Sequence, residues 1–171
     1  MAVTVSKDII RQAQSLVGGT PSPYTFQEGA TQTFVKGEIG FLSGGYFIEI
    51  AGDTPSQLLG VAAQPAHNDA AAGSHVTSVF LAEANNVFTG NLLENALADH
   101  VLVQADIGKY VAIQRDTANS KVYLDVTPPN GGTGVRAVIL AVDTRTSAIG
   151  DTNARVLFKW LPNFYQLGAT S

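Results

Sequence analysis

Residues 110–126 read Tyr-Val-Ala-Ile-Gln-Arg-Asp-Thr-Ala-Asn-Ser-Lys-Val-Tyr-Leu-Asp-Val, and they indicate the class of fold. Two apolar runs, Tyr110–Gln114 and Val122–Val126, flank the polar segment 116–120, which is typical of a turn between two β-strands. In the second run, Val, Leu and Val alternate with Tyr and Asp. This two-residue period predicts a sheet that has one face in water.

Similar short runs, separated by Gly, Pro, Asn and Asp, continue along the chain from Tyr24 onward. They predict further strands at Thr31–Val35, Glu38–Leu42, Tyr46–Ile50, Leu58–Ala63, His75–Ala82, Val87–Asn91, Val101–Gln104, Val135–Val142 and Ala154–Trp160. Ser43-Gly44-Gly45 predicts a hairpin turn, because glycine tolerates positive φ. Strands that follow one another without helices favour antiparallel pairing. We therefore expect residues 24–171 to form an all-β body of the β-sandwich, jelly-roll or barrel type.

The N-terminal segment has a different pattern. Apolar residues at positions 9, 10, 13, 16 and 17 share one stripe of a helix between Lys7 and Val17, with Ser6 as its cap and Gly18-Gly19 as its stop. The Gly- and Pro-rich residues 18–23 are typical of a linker. We therefore predict that residues 1–23 form an arm with a short helix, which is too short to be stable in isolation and must lie on the body or on a partner.

The composition excludes several classes of function. Charged residues make up 14% of the 171 residues, against about 25% in a typical soluble domain. The net charge of −4 argues against nucleic acid as a ligand. The chain has no cysteine, which excludes thiolate nucleophiles and cysteine-ligated zinc. No run is long enough for a membrane helix and no secretory signal is present, so we expect synthesis in a cytoplasm and no membrane partner.

The histidines are the best candidates for catalytic chemistry. His67-Asn68-Asp69 and nearby His75 offer metal-ligand types in one loop, whereas His100 stands apart. A metal site needs at least three converging ligands, and the two-histidine motif of double-stranded β-helix enzymes is missing. No nucleophile elbow is present either. The sequence therefore predicts no catalytic residues, no cofactor and no metal, and a small hydrolase or metal-dependent enzyme is the least favoured alternative.

Apolar residues near both ends of the chain indicate an interface. The only tryptophan, Trp160, and three other aromatic residues lie just before the C-terminus, and aromatic residues often anchor contacts between subunits. Together with the stripe of the arm, they give a predicted set of interface residues: Ile9, Ile10, Ala13, Leu16, Val17, Trp160, Phe164, Tyr165 and Leu167. These residues suggest a subunit that completes its burial on its neighbours.

Several runs give the chain a resemblance to a known family. They are Gly108–Ile113, Val122–Val126, Leu59–Ala63 and the ending Arg136–Asp143 with Asp151–Phe158. In these runs, over about residues 24–167, the chain resembles the head decoration, or cement, proteins of tailed bacteriophages.

The resemblance implies a function that is structural rather than enzymatic. Members of that family are small β-sandwich or jelly-roll subunits that sit, commonly as trimers, on the outside of the capsid. They use an arm or loops to bridge major capsid proteins. The resemblance thus implies a virion protein whose partners are the major capsid protein and two copies of itself. A phage tail or baseplate component, or a carbohydrate-binding module for host attachment, is the alternative on the same architecture.

Overall fold

The computed structural model describes residues 2–7, 9–16, 22–53, 55–128 and 134–167. Residues 18–21 of the linker predicted at 18–23 lie outside these residues. The strands are β1 Arg11–Ser15, β2 Tyr24–Gln27, β3 Ile39–Ser43, β4 Tyr46–Glu49, β5 Gly60–Ala62, β6 Val76–Leu81, β7 Asn86–Glu94, β8 Ala98–Asp99, β9 Tyr110–Asp116, β10 Lys121–Asp125, β11 Ala137–Val142 and β12 Arg155–Trp160. The helical elements in the described residues are three 3₁₀ turns, Asn95–Leu97, Gln104–Asp106 and Pro162–Phe164. The prediction of an all-β protein is confirmed.

The first sheet curves into a partial barrel. Its strands pair in the order β1-β7-β10-β9-β11-β12, and β12 pairs again with β7. The β7–β10 pair is parallel, whereas the other pairs of this sheet are antiparallel. Strand β7 is long enough to pair with β1 and β12 over its first part and with β10 and β8 over its last part. Most of the barrel is therefore organised around one strand.

The second sheet contains five antiparallel strands in the order β2-β6-β5-β3-β4. One face contributes Ile39, Val61 and other side chains to the apolar cluster that fills the barrel. The opposite face carries Phe47 and Val79, which pack with Phe34 in a second cluster. Each face of the sheet thus carries a buried apolar cluster, and the inner face shares a core with the barrel.

A buried ion pair joins the two sheets. The Arg115 guanidinium on β9 contacts the Glu38 carboxylate just before β3 and donates to the Ile50 carbonyl at 2.6 Å. The other Glu38 carboxylate oxygen accepts the backbone N–H of Val35 at 2.7 Å. Removing either charge would leave its partner buried and unpaired, which is strongly destabilising.

Both predicted hairpins are confirmed. Strands β3 and β4 meet at the pair Ser43–Tyr46, and Gly44 and Gly45 have φ values of 57° and 88°. Positive φ at both turn positions matches the twist of a two-residue hairpin. The pairing of β9 with β10 across residues 117–120 is the second hairpin.

Two predicted strands are wrong. Thr31–Val35 is irregular because Thr31 has a φ of 52° and the Glu38 carboxylate binds the Val35 N–H in place of a neighbouring strand. In Val101–Gln104, only Val101 makes a β-bridge, and the Asp106 carboxylate accepts the Val103 N–H and turns the chain into a 3₁₀ turn. Strands β1, β2 and β8 were not predicted.

The predicted wet face of β10 is also wrong, since Tyr123 and Asp125 are buried. Tyr123 pairs with Gln114 on β9, and the Gln114 side chain accepts the Leu97 N–H at 2.9 Å. The turn at 95–97 therefore lies over this face. The parallel β7–β10 pair departs from the expected antiparallel pattern, and the pairing does not support the finer prediction of a sandwich or jelly roll.

Where a helix is predicted between Lys7 and Val17, the structure instead has strand β1 at Arg11–Ser15, and the other described residues there are not helical. Strand β1 pairs with β7, whose backbone groups at 86–89 need partners. Gln12 pairs with Phe88 and Gln14 pairs with Val87, so Ala13 is an extra residue in a β-bulge. The bulge interrupts the two-residue alternation, which explains why the segment has no strand pattern.

The described residues of the predicted arm lie along the body. Val5 N–H donates to the Thr152 carbonyl at 2.8 Å, and the Ile9 carbonyl accepts from Arg155 at 3.1 Å. Ile10 is 1% exposed and belongs to the barrel core. These contacts make residues 3–7 and 9–16 part of the folded unit.

We predict that Ile10→Ala lowers the free energy of unfolding by about 2–5 kcal/mol, because it leaves a cavity in a filled core. Leu16→Ala is the control, since Leu16 is 53% exposed, and we expect a change within about 0.5 kcal/mol. Urea unfolding followed by tryptophan fluorescence measures both. Equal stability of the two variants would contradict the assignment of Ile10 to the core.

Candidate functional site

Three of the predicted interface residues are buried in the interior of the folded protein. Ile10, Trp160 and Tyr165 are buried in the barrel cluster. The Trp160 ring packs edge-on against Phe158 at 5.0 Å between centroids, and the Tyr165 hydroxyl donates to the Trp160 carbonyl at 2.8 Å. Burial, with the nearby charge of Glu83, raises the pKa of Tyr165 to about 12. A partner could contact these three side chains only if the protein unfolded locally.

The other predicted interface residues differ in exposure. Leu16 and Leu167 are exposed, whereas Ile9, Ala13 and Phe164 are half-buried. The Arg136 guanidinium carbon lies 4.1 Å from the centre of the Phe164 ring, which is a cation–π contact. Val17 lies outside the described residues. The structure therefore does not bring the predicted set together on one surface, and contact by its exposed members stays a prediction.

A different group of exposed apolar residues does lie on adjacent backbone. We call it the valine patch, and its members are Val3, Val101, Val103 and Ile149, each between 45% and 58% exposed. Thr152 N–H donates to the Val3 carbonyl at 2.8 Å, and Val101 forms an antiparallel bridge with Thr152. The four side chains thus project from three segments that are joined by hydrogen bonds.

The backbone beneath the valine patch is fixed by further hydrogen bonds. Leu102 is fully buried between the exposed Val101 and Val103. Its N–H donates to the Asp151 carbonyl at 3.0 Å, and its carbonyl accepts from Gly150 at 2.8 Å. Rigid backbone that carries exposed apolar side chains is suited to binding, because little conformational entropy remains to be lost.

A charged network around His100 holds the segment that carries Val101 and Val103. Its Nδ1 lies 3.0 Å from Glu94 Oε1 and its Nε2 lies 2.8 Å from Asp106 Oδ2, while Lys109 Nζ lies 3.2 Å from Asp106 Oδ1. An imidazolium can donate to both carboxylates at once. Burial opposes ionisation of Asp106, but hydrogen bonds from His100, the Val103 N–H and Lys109 outweigh it and hold the pKa of that carboxyl below 3.8.

The other two histidines form a stacked pair. The rings of His67 and His75 are 4.3 Å apart between centroids and nearly parallel, with an angle of 8°. His67 Nδ1 lies 3.0 Å from Glu28 Oε2, and His75 Nε2 lies 3.3 Å from Asp69 Oδ2. Because lone pairs lie in the ring planes, parallel rings do not point their nitrogens at one metal position. The pair instead ties the 64–75 loop to buried Glu28.

No group of three or more His, Asp or Glu residues that could hold a metal ion occurs within the described ranges. Within the same ranges, no helix has the length and apolar character needed to cross a membrane.

We predict that Asp106→Asn lowers the free energy of unfolding at pH 7 by about 2 kcal/mol, because buried charged hydrogen bonds are lost. The depressed pKa means that the ionised carboxylate stabilises the fold above pH 3.8 and that this contribution is lost as the pH falls through the folded-state value. The gap between the native protein and the variant should therefore narrow below pH 3.8. Urea unfolding at a series of pH values measures it, and parallel curves down to pH 2 would contradict the role of Asp106.

Comparisons of this chain with protein-family models, with curated proteins and with solved structures find no match.

Proposed function

We propose that this chain is a structural virion protein that binds the outside of a phage capsid. It would stabilise the shell by bridging major capsid subunits, as a homotrimer. The observation that carries the proposal is the valine patch, a set of exposed apolar side chains on backbone held by hydrogen bonds. The resemblance to head decoration proteins implies that the partner of the patch is the major capsid protein.

The low content of charged residues in the chain supports the same proposal. Burying a charged side chain in an interface has a large desolvation cost, and the cores of interfaces are depleted of charged residues. With 14% charged residues, the chain carries few such costs. A symmetric shell adds multivalency, so that modest contacts of each subunit combine into long-lived attachment.

In this proposal, the surface that contacts the capsid is on the β body and not on the N-terminal arm. The described residues of the predicted arm are engaged by hydrogen bonds to the body, and Ile10 fills part of the core. Deletion of residues 2–20, which a detachable arm would tolerate, should therefore unfold the protein. A test of capsid binding must change exposed side chains instead.

A phage tail or baseplate component, or a carbohydrate-binding module, is the second proposal. Such a module would stack sugars on exposed aromatic rings. Trp160 is buried, so quenching of its fluorescence is not a suitable test of sugar binding. The exposed aromatic candidates are Tyr24 and Tyr110, which are 57% and 40% exposed. The number of copies per particle separates the two proposals.

We predict that quantitative mass spectrometry of purified phage particles finds this chain at a ratio approaching one to the major capsid protein. Such a ratio follows from occupation of the whole lattice. A few copies per particle would favour the tail or baseplate proposal, and complete absence from particles would exclude both.

We predict that the double variant Val101→Asp with Val103→Asp loses at least tenfold in affinity for capsids that lack the protein. Two carboxylates would have to be desolvated in an apolar contact. Val76→Asp is the matched control, because Val76 is 51% exposed on β6 and lies outside the patch. Sedimentation with capsids measures occupancy, and circular dichroism checks folding. Equal binding by the double variant and the control would contradict a role for the patch.

A further inference from the structure

A cleft lies between β1, β7 and β12 and the turn that follows β11. Its volume is about 310 Å³, which is at the lower end of the range for ligand sites. The residues that matter for its chemistry are Arg11, Gln12, Thr89, Arg145, Thr146 and Arg155. Its lining includes no residue of the valine patch or of the histidine pair, and the capsid proposal does not use it.

The lining of this cleft is rich in arginine. Three of the five arginines of the chain line it, and Asp143 is the one carboxylate among its lining residues. This is unusual in a chain with a net charge of −4. A guanidinium has a planar array of donors that matches a carboxylate, so the lining favours an anionic ligand.

Arg145 is oriented at the mouth of the cleft by Asp143. Its Nε donates to Asp143 Oδ1 at 2.8 Å and its Nη2 donates to Oδ2 at 3.0 Å. The Arg145 side chain is 66% exposed, whereas the Asp143 side chain is buried. A guanidinium has five N–H donors, so this pair occupies two of them. The bonds to Asp143 fix the plane of the group and leave donors for a ligand.

The electrostatics keep both members of this pair charged. Hydrogen bonds and attraction from Asp143 raise the pKa of Arg145. Hydrogen bonds from Arg145 outweigh burial and hold the pKa of Asp143 below its ordinary value. Thr89 Oγ1 also donates to Asp143 Oδ2 at 3.3 Å. The orientation of Arg145 is therefore maintained across the neutral pH range.

The floor of the cleft is rigid as well. Arg155 donates from Nε to Thr89 Oγ1 at 3.1 Å and from Nη1 to Asn91 Oδ1 at 3.2 Å. These bonds hold its guanidinium against β7. A preformed polar floor lowers the cost of binding, because few side chains must be ordered when the ligand enters.

We propose that this cleft binds an acidic side chain presented by a loop of a partner protein. The carboxylate would bind the donors of Arg145 that Asp143 leaves free. Inorganic phosphate shares the negative charge of this ligand, and its binding is measured separately from that of the peptide. The proposal concerns the isolated chain and does not depend on capsid binding.

The test is an NMR titration of the full chain with the capped peptide acetyl-Gly-Asp-Gly-amide. We expect millimolar binding, with shifts in the Arg145 Nε–H, the Gln12 side-chain amide and the Thr146 backbone amide. The matched peptide with Asn in place of Asp should bind at least tenfold more weakly. Binding should also weaken as salt is raised from 20 to about 300 mM, because screening reduces the attraction between exposed charges.

Variants at the mouth of the cleft complete the test. Arg145→Gln should reduce affinity for the Asp peptide at least tenfold, and Arg145→Lys should retain part of it because the charge remains but the fork is lost. Lys36→Gln is the control, since it removes one positive charge from an exposed position outside the cleft. Equal binding of the Asp and Asn peptides, shifts confined to other surfaces, or binding of phosphate without the Asp peptide would each overturn the proposal.

Discussion

The structure depends on the burial of β7 on both of its faces. Near its centre, a Cβ added to Gly90 would lie 3.2 Å from Phe158 Cε1, 3.4 Å from Ile10 Cγ1 and 3.9 Å from Leu124 Cδ1. Side chains from β12, from the N-terminal segment and from β10 therefore converge on one position, where even a Cβ would be in tight contact with Phe158. Such close packing couples these elements, because a change of even one methylene in a core of native density is felt by its neighbours.

This constraint explains which parts of the fold could be predicted from the sequence. The hairpins at Ser43–Tyr46 and across 117–120 are local, since turn residues and two short runs are sufficient to specify them. Strand β1 could not be predicted, because a bulge at Ala13 hides its alternation and its partner β7 is distant in sequence. The burial of Tyr123 was also missed, since the 95–97 turn that covers this face is remote in the chain.

The distinction between features set by local sequence and features set by distant residues also applies to the candidate sites. Aromatic residues near the C-terminus predicted an interface, but Trp160 and Tyr165 fill the barrel because hydrophobic side chains serve cores and contacts equally well. No single stretch of sequence predicts the valine patch, because its segments at 3, 101–103 and 149 become neighbours only through tertiary hydrogen bonds. The alternation of exposed Val101 and Val103 around buried Leu102 is a trace of it in the sequence. By itself, that alternation predicts a strand.

The valine patch and the arginine-lined cleft are suited to contacts of different kinds. Apolar contact contributes affinity with little directional preference. A guanidinium held by a carboxylate, in contrast, donates hydrogen bonds to an anion in only a few orientations. A subunit with both surfaces could combine strength at the patch with orientation at the cleft. The bonds between Arg145 and Asp143 also make the cleft selective, because an incoming carboxylate must fit beside an existing one and is repelled unless it binds the remaining donors. Specificity in this chain would then come from its few charged residues, and affinity from its many uncharged ones.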